Sequence, residues 1–416
     1  MTEVWATAAL WLALALVATL LSLWLRVATA LSEIIVGVVA QLILGAVLGG
    51  AALGANESWV KFLAGAGSIV LTFLAGAELD PRVLRSSWKA TALIGLVGFV
   101  APFLGCTAAA YFLLHWSAQA SWLAGVALST TSVAVVYAVM LELGLNITKY
   151  GKAVLAACFV NDLATVIALG LIFSPFTLHT LVFVLVSLAA LAILPWLTPR
   201  FFGRYGARPS ELEAKYILLL LFGLGALAAW ADSEPVLPAY LIGMVLAGTV
   251  GKDHALVRRL RTLTFGLLTP FYFIRAGSFV SLGALAAAPV AFIVLFLAKM
   301  ASKSLGIYPA TLVFRYPRME RAYTTLLMST GLTFGSISAL FGLTHGVVTQ
   351  AQYSYLIAAV IGSAIIPTLI ANAFYLPRHL IPRGHEPVAA EAAPARVGSA
   401  AVSVRLEPVS QGEESR

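Results

Sequence analysis

Hydrophobic positions along this chain do not alternate with polar ones. They gather in long runs separated by short polar or basic stretches. A run of about 20 apolar residues, rising 1.5 Å each, spans a bilayer as a helix. A membrane β-strand would instead show alternation over about ten residues. Measured this way, thirteen segments stand out: 4–25, 33–54, 59–79, 89–114, 119–140, 150–173, 177–197, 214–231, 236–251, 264–284, 286–312, 322–343 and 350–377. The pattern predicts an all-α polytopic membrane protein with thirteen transmembrane helices. Residues 4–25 lack a basic residue in their early part and a small-residue cleavage pattern after them. A retained helix is therefore expected there, not a signal peptide.

Two segments are polar in the middle. The fifth contains Ser129, Thr130, Thr131 and Ser132. The twelfth contains MSTGLTFGSIS, with Ser329, Thr330, Gly331, Thr333 and Gly335. Hydroxyls at such points can satisfy backbone groups freed by a break in the helix. The fifth and twelfth segments run in opposite senses. So do the trios formed by segments four to six and eleven to thirteen. Paired broken helices in opposed halves are a device of secondary transporters. Two inverted repeats with crossing discontinuous helices are expected, with core trios at about 89–173 and 286–377. Residues 1–383 form one membrane domain in this reading. Residues 384–416 are rich in Ala, Pro, Ser and Glu, lack aromatics, and are expected to be a disordered cytoplasmic tail. No strand-plus-glycine-loop pattern appears, so no nucleotide-sensing domain is expected.

Composition agrees with this plan. Hydrophobic residues make up 61% and charged residues 11%, against about 25% charged in soluble proteins. Mean hydropathy is +0.95. A soluble enzyme, a nucleic-acid binder and a disordered regulator are excluded. The net charge of +8 then reports topology. With thirteen helices, 22 of the 26 Lys and Arg residues fall on one side, and only Lys61 on the other. Lys and Arg collect on the cytoplasmic side. The C-terminus is thus expected in the cytoplasm and the N-terminus outside, in the cell (inner) membrane. Cys106 and Cys158 lie in apolar runs at no metal-binding spacing and read as packing residues.

Three basic residues and one acid remain inside the bilayer. Asp162 lies ten residues after Lys152, about 15 Å deep and near the midplane. A charge there costs on the order of 3 kcal/mol or more. Asn161 beside it adds a second oxygen, which suits a hard monovalent cation or a proton. Lys303 lies twelve residues before Arg315, about 18 Å deep. It is read as a partner of Asp162 or a second proton carrier. Lys299 sits one turn away on the same face and suits a lysine snorkelling to the interface. Arg275 is also deep, where an ion pair or a capped carbonyl cluster fits better than a cation path. Glu78, at the end of the third segment, would attract cations at a vestibule or balance Arg82 and Arg85.

Several stretches together resemble the bacterial monovalent cation:proton antiporters of the second cation/proton antiporter family, near the NapA-type sodium/proton antiporters. They are FLAGAELD, ALSTTSVAVV, the VND of CFVNDLATV, TPFYFIRAG, the KSLG of KMASKSLG, and STGLTFGSIS. They run from about residue 30 to 377. The resemblance implies a core of two inverted trios, a dimerising scaffold and elevator-like alternating access. It implies Asp162 as the carboxylate that binds Na⁺ (or Li⁺) or protons, Asn161 as its helper and Lys303 as the charge partner. Thr130, Thr131 and Thr333 would lie at the crossing. The chain departs from the pattern twice. Many electrogenic members carry Asp-Asp where Asn161 and Asp162 stand, which leaves Lys303 to pair with Asp162 itself or to be neutral. Leu332 stands where many relatives have a glutamate.

The expected function is sodium/proton antiport, contributing to pH homeostasis, by a homodimer. Its partners would be monovalent cations, protons and lipid, with no cofactor and no nucleic acid. A potassium/proton antiporter and a sodium-coupled organic solute carrier are the alternatives. A channel would need charge rings or a filter. An enzyme is not expected, because no histidine joins a carboxylate at metal-ligand spacing.

Overall fold

The computed structural model describes residues 2–25, 28–48, 53–77, 88–173, 177–206, 210–231, 233 and 235–381. Glu78 and the tail from 384 onward lie outside the described residues. Every described element is helical. The first three helices are α1 (Thr2–Leu25), α2 (Thr29–Leu48) and α3 (Ser58–Ala77). Next come α4 (Trp88–Ala108), α5 (Ala118–Ser129), α6 (Val133–Glu142), α7 (Lys149–Phe173) and α8 (Leu178–Tyr205). They are followed by α9 (Leu212–Trp230), α10 (Val236–Leu246), α11 (His254–Leu263) and α12 (Thr269–Ser278). The last are α13 (Leu282–Ala287), α14 (Pro289–Val313), α15 (Arg318–Leu327), α16 (Thr333–Thr344) and α17 (Gln350–Phe374). Each of the thirteen predicted segments holds at least one of them. Among the described residues, eight helices are long and apolar enough to cross a membrane.

One boundary differs from expectation. The stretch placed in a basic loop before segment ten is α11, joined to α12 by the π-helical turn Thr264–Leu268. The local reason is visible. Asp253 caps α11 by accepting from the backbone N–H groups of Ala255 and Leu256, and Leu256 and Leu260 are buried. Four-residue spacing of two leucines within a polar stretch makes an amphipathic helix, not a loop.

The two interrupted segments are broken where the hydroxyls cluster. At the end of α5, the Ser129 and Thr130 hydroxyls donate to Val126 O (2.8 Å) and Ala127 O (3.1 Å). At the end of α15, Ser329 and Thr330 donate to Thr325 O and Leu327 O, both at 2.7 Å. Carbonyls that a terminating helix would leave bare are satisfied locally. The two unwound stretches then cross, and Ser132 N–H donates to Thr330 O at 3.1 Å. Around them α4 packs on α5, α7 and α14, while α14 packs on α15 and α17. These are the helices of the two expected trios, packed around the crossing.

Outside the trios, two helix pairs approach closely. Gly37 of α2 lies against Ile274 O, and Gly277 of α12 against Ile34 O. In the same way Gly243 of α10 lies against Phe73 O, and Gly76 of α3 against Tyr240 O. A Cβ at any of the four would collide with backbone, so these pairs cross backbone to backbone.

The outer surface is apolar. On α1, Trp5 and Trp24 are 76% and 78% exposed. Nineteen residues separate them, about 28 Å along the helix, which matches two interfacial belts. The connections sort into two faces. On one, the 53–57 loop meets the end of α12 and the α16–α17 junction. On the other, Tyr150 at the start of α7 bonds Thr324 of α15 at 2.8 Å, and His379 reaches Glu320 at 3.1 Å.

Candidate ion-binding site

Asp162 and Asn161 lie midway along α7 and are buried, at 2% and 0% exposure. The Asn161 amide donates to Gly95 O of α4 at 3.4 Å, which turns its oxygen the other way. Among the described residues, neither Asn161 Oδ1 nor Asp162 Oδ1 has a hydrogen-bond partner. Buried polar atoms are satisfied in the great majority of cases. Asn161 and Asp162 thus carry two orphaned oxygens on adjacent residues of α7. The Asp162 carboxylate lies within electrostatic reach of Lys303 and of the Thr131 backbone N–H.

Lys303 is fully buried and donates to Thr131 Oγ1 at 2.9 Å. Thr131 in turn donates to Met328 O at 2.9 Å. One ammonium is thus tied to the first unwound stretch and, through a hydroxyl, to the carbonyl end of the second. No direct ion pair joins Lys303 to Asp162 among the described residues. Lys299 is also fully buried and donates to Ser363 Oγ of α17 at 2.9 Å. It does not snorkel to the interface. α14 faces the crossing here, and a Cβ on Gly331 would strike Lys299 Nζ. Thr130 is buried at the crossing, while Thr333 opens α16 and is half-buried.

A residue family model described as the transmembrane sodium/hydrogen exchanger matches residues 12–374. The chain belongs to the sodium/hydrogen exchanger family. A probable Na⁺/H⁺ antiporter 3 of Methanocaldococcus jannaschii is 22% identical over 333 residues, 76% of this chain and 84% of that protein. Cation/H⁺ antiporter 18 of Arabidopsis thaliana is 26% identical over 82% of this chain. The glutathione-regulated potassium-efflux protein KefC of Shigella sonnei is 25% identical over 72%. The chain spans only 46% and 50% of the length of those two relatives. The solved sodium proton antiporter MjNhaP1 of M. jannaschii at pH 8 has the same fold. Its TM-score is 0.65 at 14% identity, covering 89% of this chain and 96% of that one. By family, this is a multi-pass membrane protein and a cation/proton antiporter.

Within this exchanger, the sequence expectations divide. Asp162, Asn161, Lys303, Thr130, Thr131 and Lys299 come together around the crossing. Arg275 does not. It lies apart, its Nε donating to Ala55 O at 2.8 Å and its guanidinium stacked 4.9 Å from the Phe279 ring. Of the two arrangements expected, an ion pair or a capped carbonyl cluster, a carbonyl contact is present, and no ion pair to Arg275 is found among the described residues. Two contributors escape sequence reading. Ser363 is one more hydroxyl in an apolar helix and carries no signal. Tyr240 carries a weak one, a polar tip in the apolar run VLPAYLIG. Its hydroxyl donates to Phe159 O, one turn before Asp162, at 3.2 Å. Its ring meets Phe334 edge-on at 5.7 Å.

Proposed function

We propose that this exchanger moves Na⁺ (or Li⁺) against H⁺, with Asp162 as the shared carboxylate. Cation and protons compete for it, and competition for one site is enough to couple the two flows. Asn161 supplies a second oxygen to the cation. Lys303, held by Thr131, is the positive charge that steadies ionised Asp162 when no cation is bound. Thr130 and Thr333 line the crossing, where half-helix ends supply opposed dipoles. The reading further takes α4–α7 and α14–α17 as a core that shifts against a scaffold of α1–α3 and α8–α12. That scaffold would dimerise through its apolar outer face. Thirteen crossings then put the N-terminus outside and the C-terminus in the cytoplasm of the cell membrane.

The observation that carries this reading is the pair of orphaned oxygens on Asn161 and Asp162. The test is alkali-cation/proton exchange in proteoliposomes at clamped membrane potential. Asp162→Asn is expected to abolish cation-dependent proton movement, and wild-type exchange persisting in it refutes the role. A potassium/proton exchanger is the second reading, because the relatives include proteins described as potassium-efflux systems. Which of Na⁺, Li⁺ and K⁺ dissipates an imposed pH gradient separates the two.

A further inference from the structure

A cavity of about 480 Å³ opens between Arg275 and Ser278 of α12, Gln41 of α2 and the 53–57 loop on one wall, and the α16–α17 junction on the other. Thr344 and Gln350 line that second wall. The first wall belongs to the proposed scaffold and the second to the proposed core. The cavity therefore sits in the seam that alternating access must open, on the face carrying Lys61. Its mouth is open, and Gln41, Asn56, Ser278, Thr344 and Gln350 bring polar groups to a lining that is otherwise largely apolar. Among its lining residues Arg275, only 6% exposed, is the basic one and Glu57 the acidic one.

Three features fix the Arg275 charge and leave it without a direct ion pair. The guanidinium is always protonated. The bond from Nε to Ala55 O and the Phe279 ring lock its position. No ion pair to Arg275 exists among the described residues, and Glu57 stands at the rim, exposed. A buried charge is usually paired, so one with no direct ion pair that lines an open vestibule projects its field into it, offset only by Glu57. Clefts with low-dielectric walls focus such fields and change the local ion concentration.

We infer that Arg275 is an electrostatic selector in the outer vestibule, which lowers the apparent affinity for cations from that face and so favours cation release there. Glu57 at the rim acts in the opposite direction. The inference rests on the antiport reading and on the topology that puts Lys61 outside. It gives the exchanger a built-in directional bias without altering the ion site.

The test measures apparent Na⁺ affinity separately from each face, in right-side-out and inside-out vesicles at low ionic strength. Arg275→Gln is expected to lower the half-saturating Na⁺ on the Lys61 face about two- to fifteenfold. That is the range for a unit charge if the entering cation passes at about 10 Å, between a watery and a half-buried medium. The other face is unchanged. Arg275→Lys retains most of the bias, and Glu57→Gln raises the half-saturating concentration on the same face only. Added N-methylglucamine chloride shrinks all these differences by screening. Equal shifts on both faces, or Lys behaving as Gln, overturn the inference. So does loss of exchange on both faces with a lowered thermal midpoint in every Arg275 variant, which marks a mere strut for the Ala55 loop. Wild-type vesicles exchanging no alkali cation would instead sink the antiport reading, and the inference with it.

Discussion

Tyr240→Phe tests whether the two helix groups part as proposed. Tyr240 belongs to α10, and its hydroxyl bonds the Phe159 carbonyl of α7 at 3.2 Å, with the side chain fully buried. Any shift of α7 against α10 large enough to re-expose Asp162 breaks that bond. Phenylalanine has the same shape, so no cavity opens and the edge-on contact with Phe334 remains. The loss is one hydrogen bond, worth about 1 kcal/mol net. Phe159 O sits within α7 and keeps its helical partner, so no acceptor is orphaned. At RT of about 0.6 kcal/mol, 1 kcal/mol is a factor of about five. Where leaving this conformation limits turnover, Tyr240→Phe should raise maximal exchange up to about fivefold. Where another step limits, the balance between the two exposures shifts by the same factor. Thiol labelling of a cysteine placed at Thr344, which lines the cavity beside the 53–57 loop, reads that balance. Unchanged turnover together with unchanged labelling would refute the idea that α7 slides past α10.

Two other expectations follow from the site. Below the pKa of Asp162 a proton occupies the carboxylate and must leave before a cation binds. The half-saturating cation concentration should therefore rise as pH falls, approaching about tenfold per unit; a flat value between pH 6 and 8.5 counts against a shared site. Gly331→Ala places a Cβ against Lys299 Nζ and 3.1 Å from the Thr130 carbonyl. The lysine tip can yield, but the carbonyl at the crossing cannot. A loss of about 1–3 kcal/mol of stability is expected, with exchange reduced, read as a lower thermal midpoint in detergent. An unchanged midpoint would show that the crossing has slack.

Much of the architecture was legible because bilayer physics leaves few choices. Backbone groups must be satisfied internally, so apolar runs are helices, and hydroxyl runs mark where a helix can break. Ser129–Ser132 and Ser329–Thr330 fall at the breaks for that reason. Asp162 was legible because its depth makes an idle carboxylate costly. The partners were not. Lys303 finds Thr131, 172 positions away, and Arg275 finds Ala55, 220 positions away. Nothing local in the sequence encodes those meetings; they follow from how the trios pack. The helix α11 was missed for a different reason. Its basic residues resemble a cytoplasmic loop, while its two buried leucines are too few to dominate the pattern.

The two exposed tryptophans of α1 have a mechanical consequence. Rings about 28 Å apart would, if seated at both headgroup layers, clamp α1 to one hydrocarbon thickness. If the core slides past a body pinned in this way, the lipid around it must stretch or thin at each cycle. Mismatch energy then adds to the barrier, at fractions of a kcal/mol per Å. Acyl-chain length becomes a control on exchange rate, set by two rings that lie far from any ion.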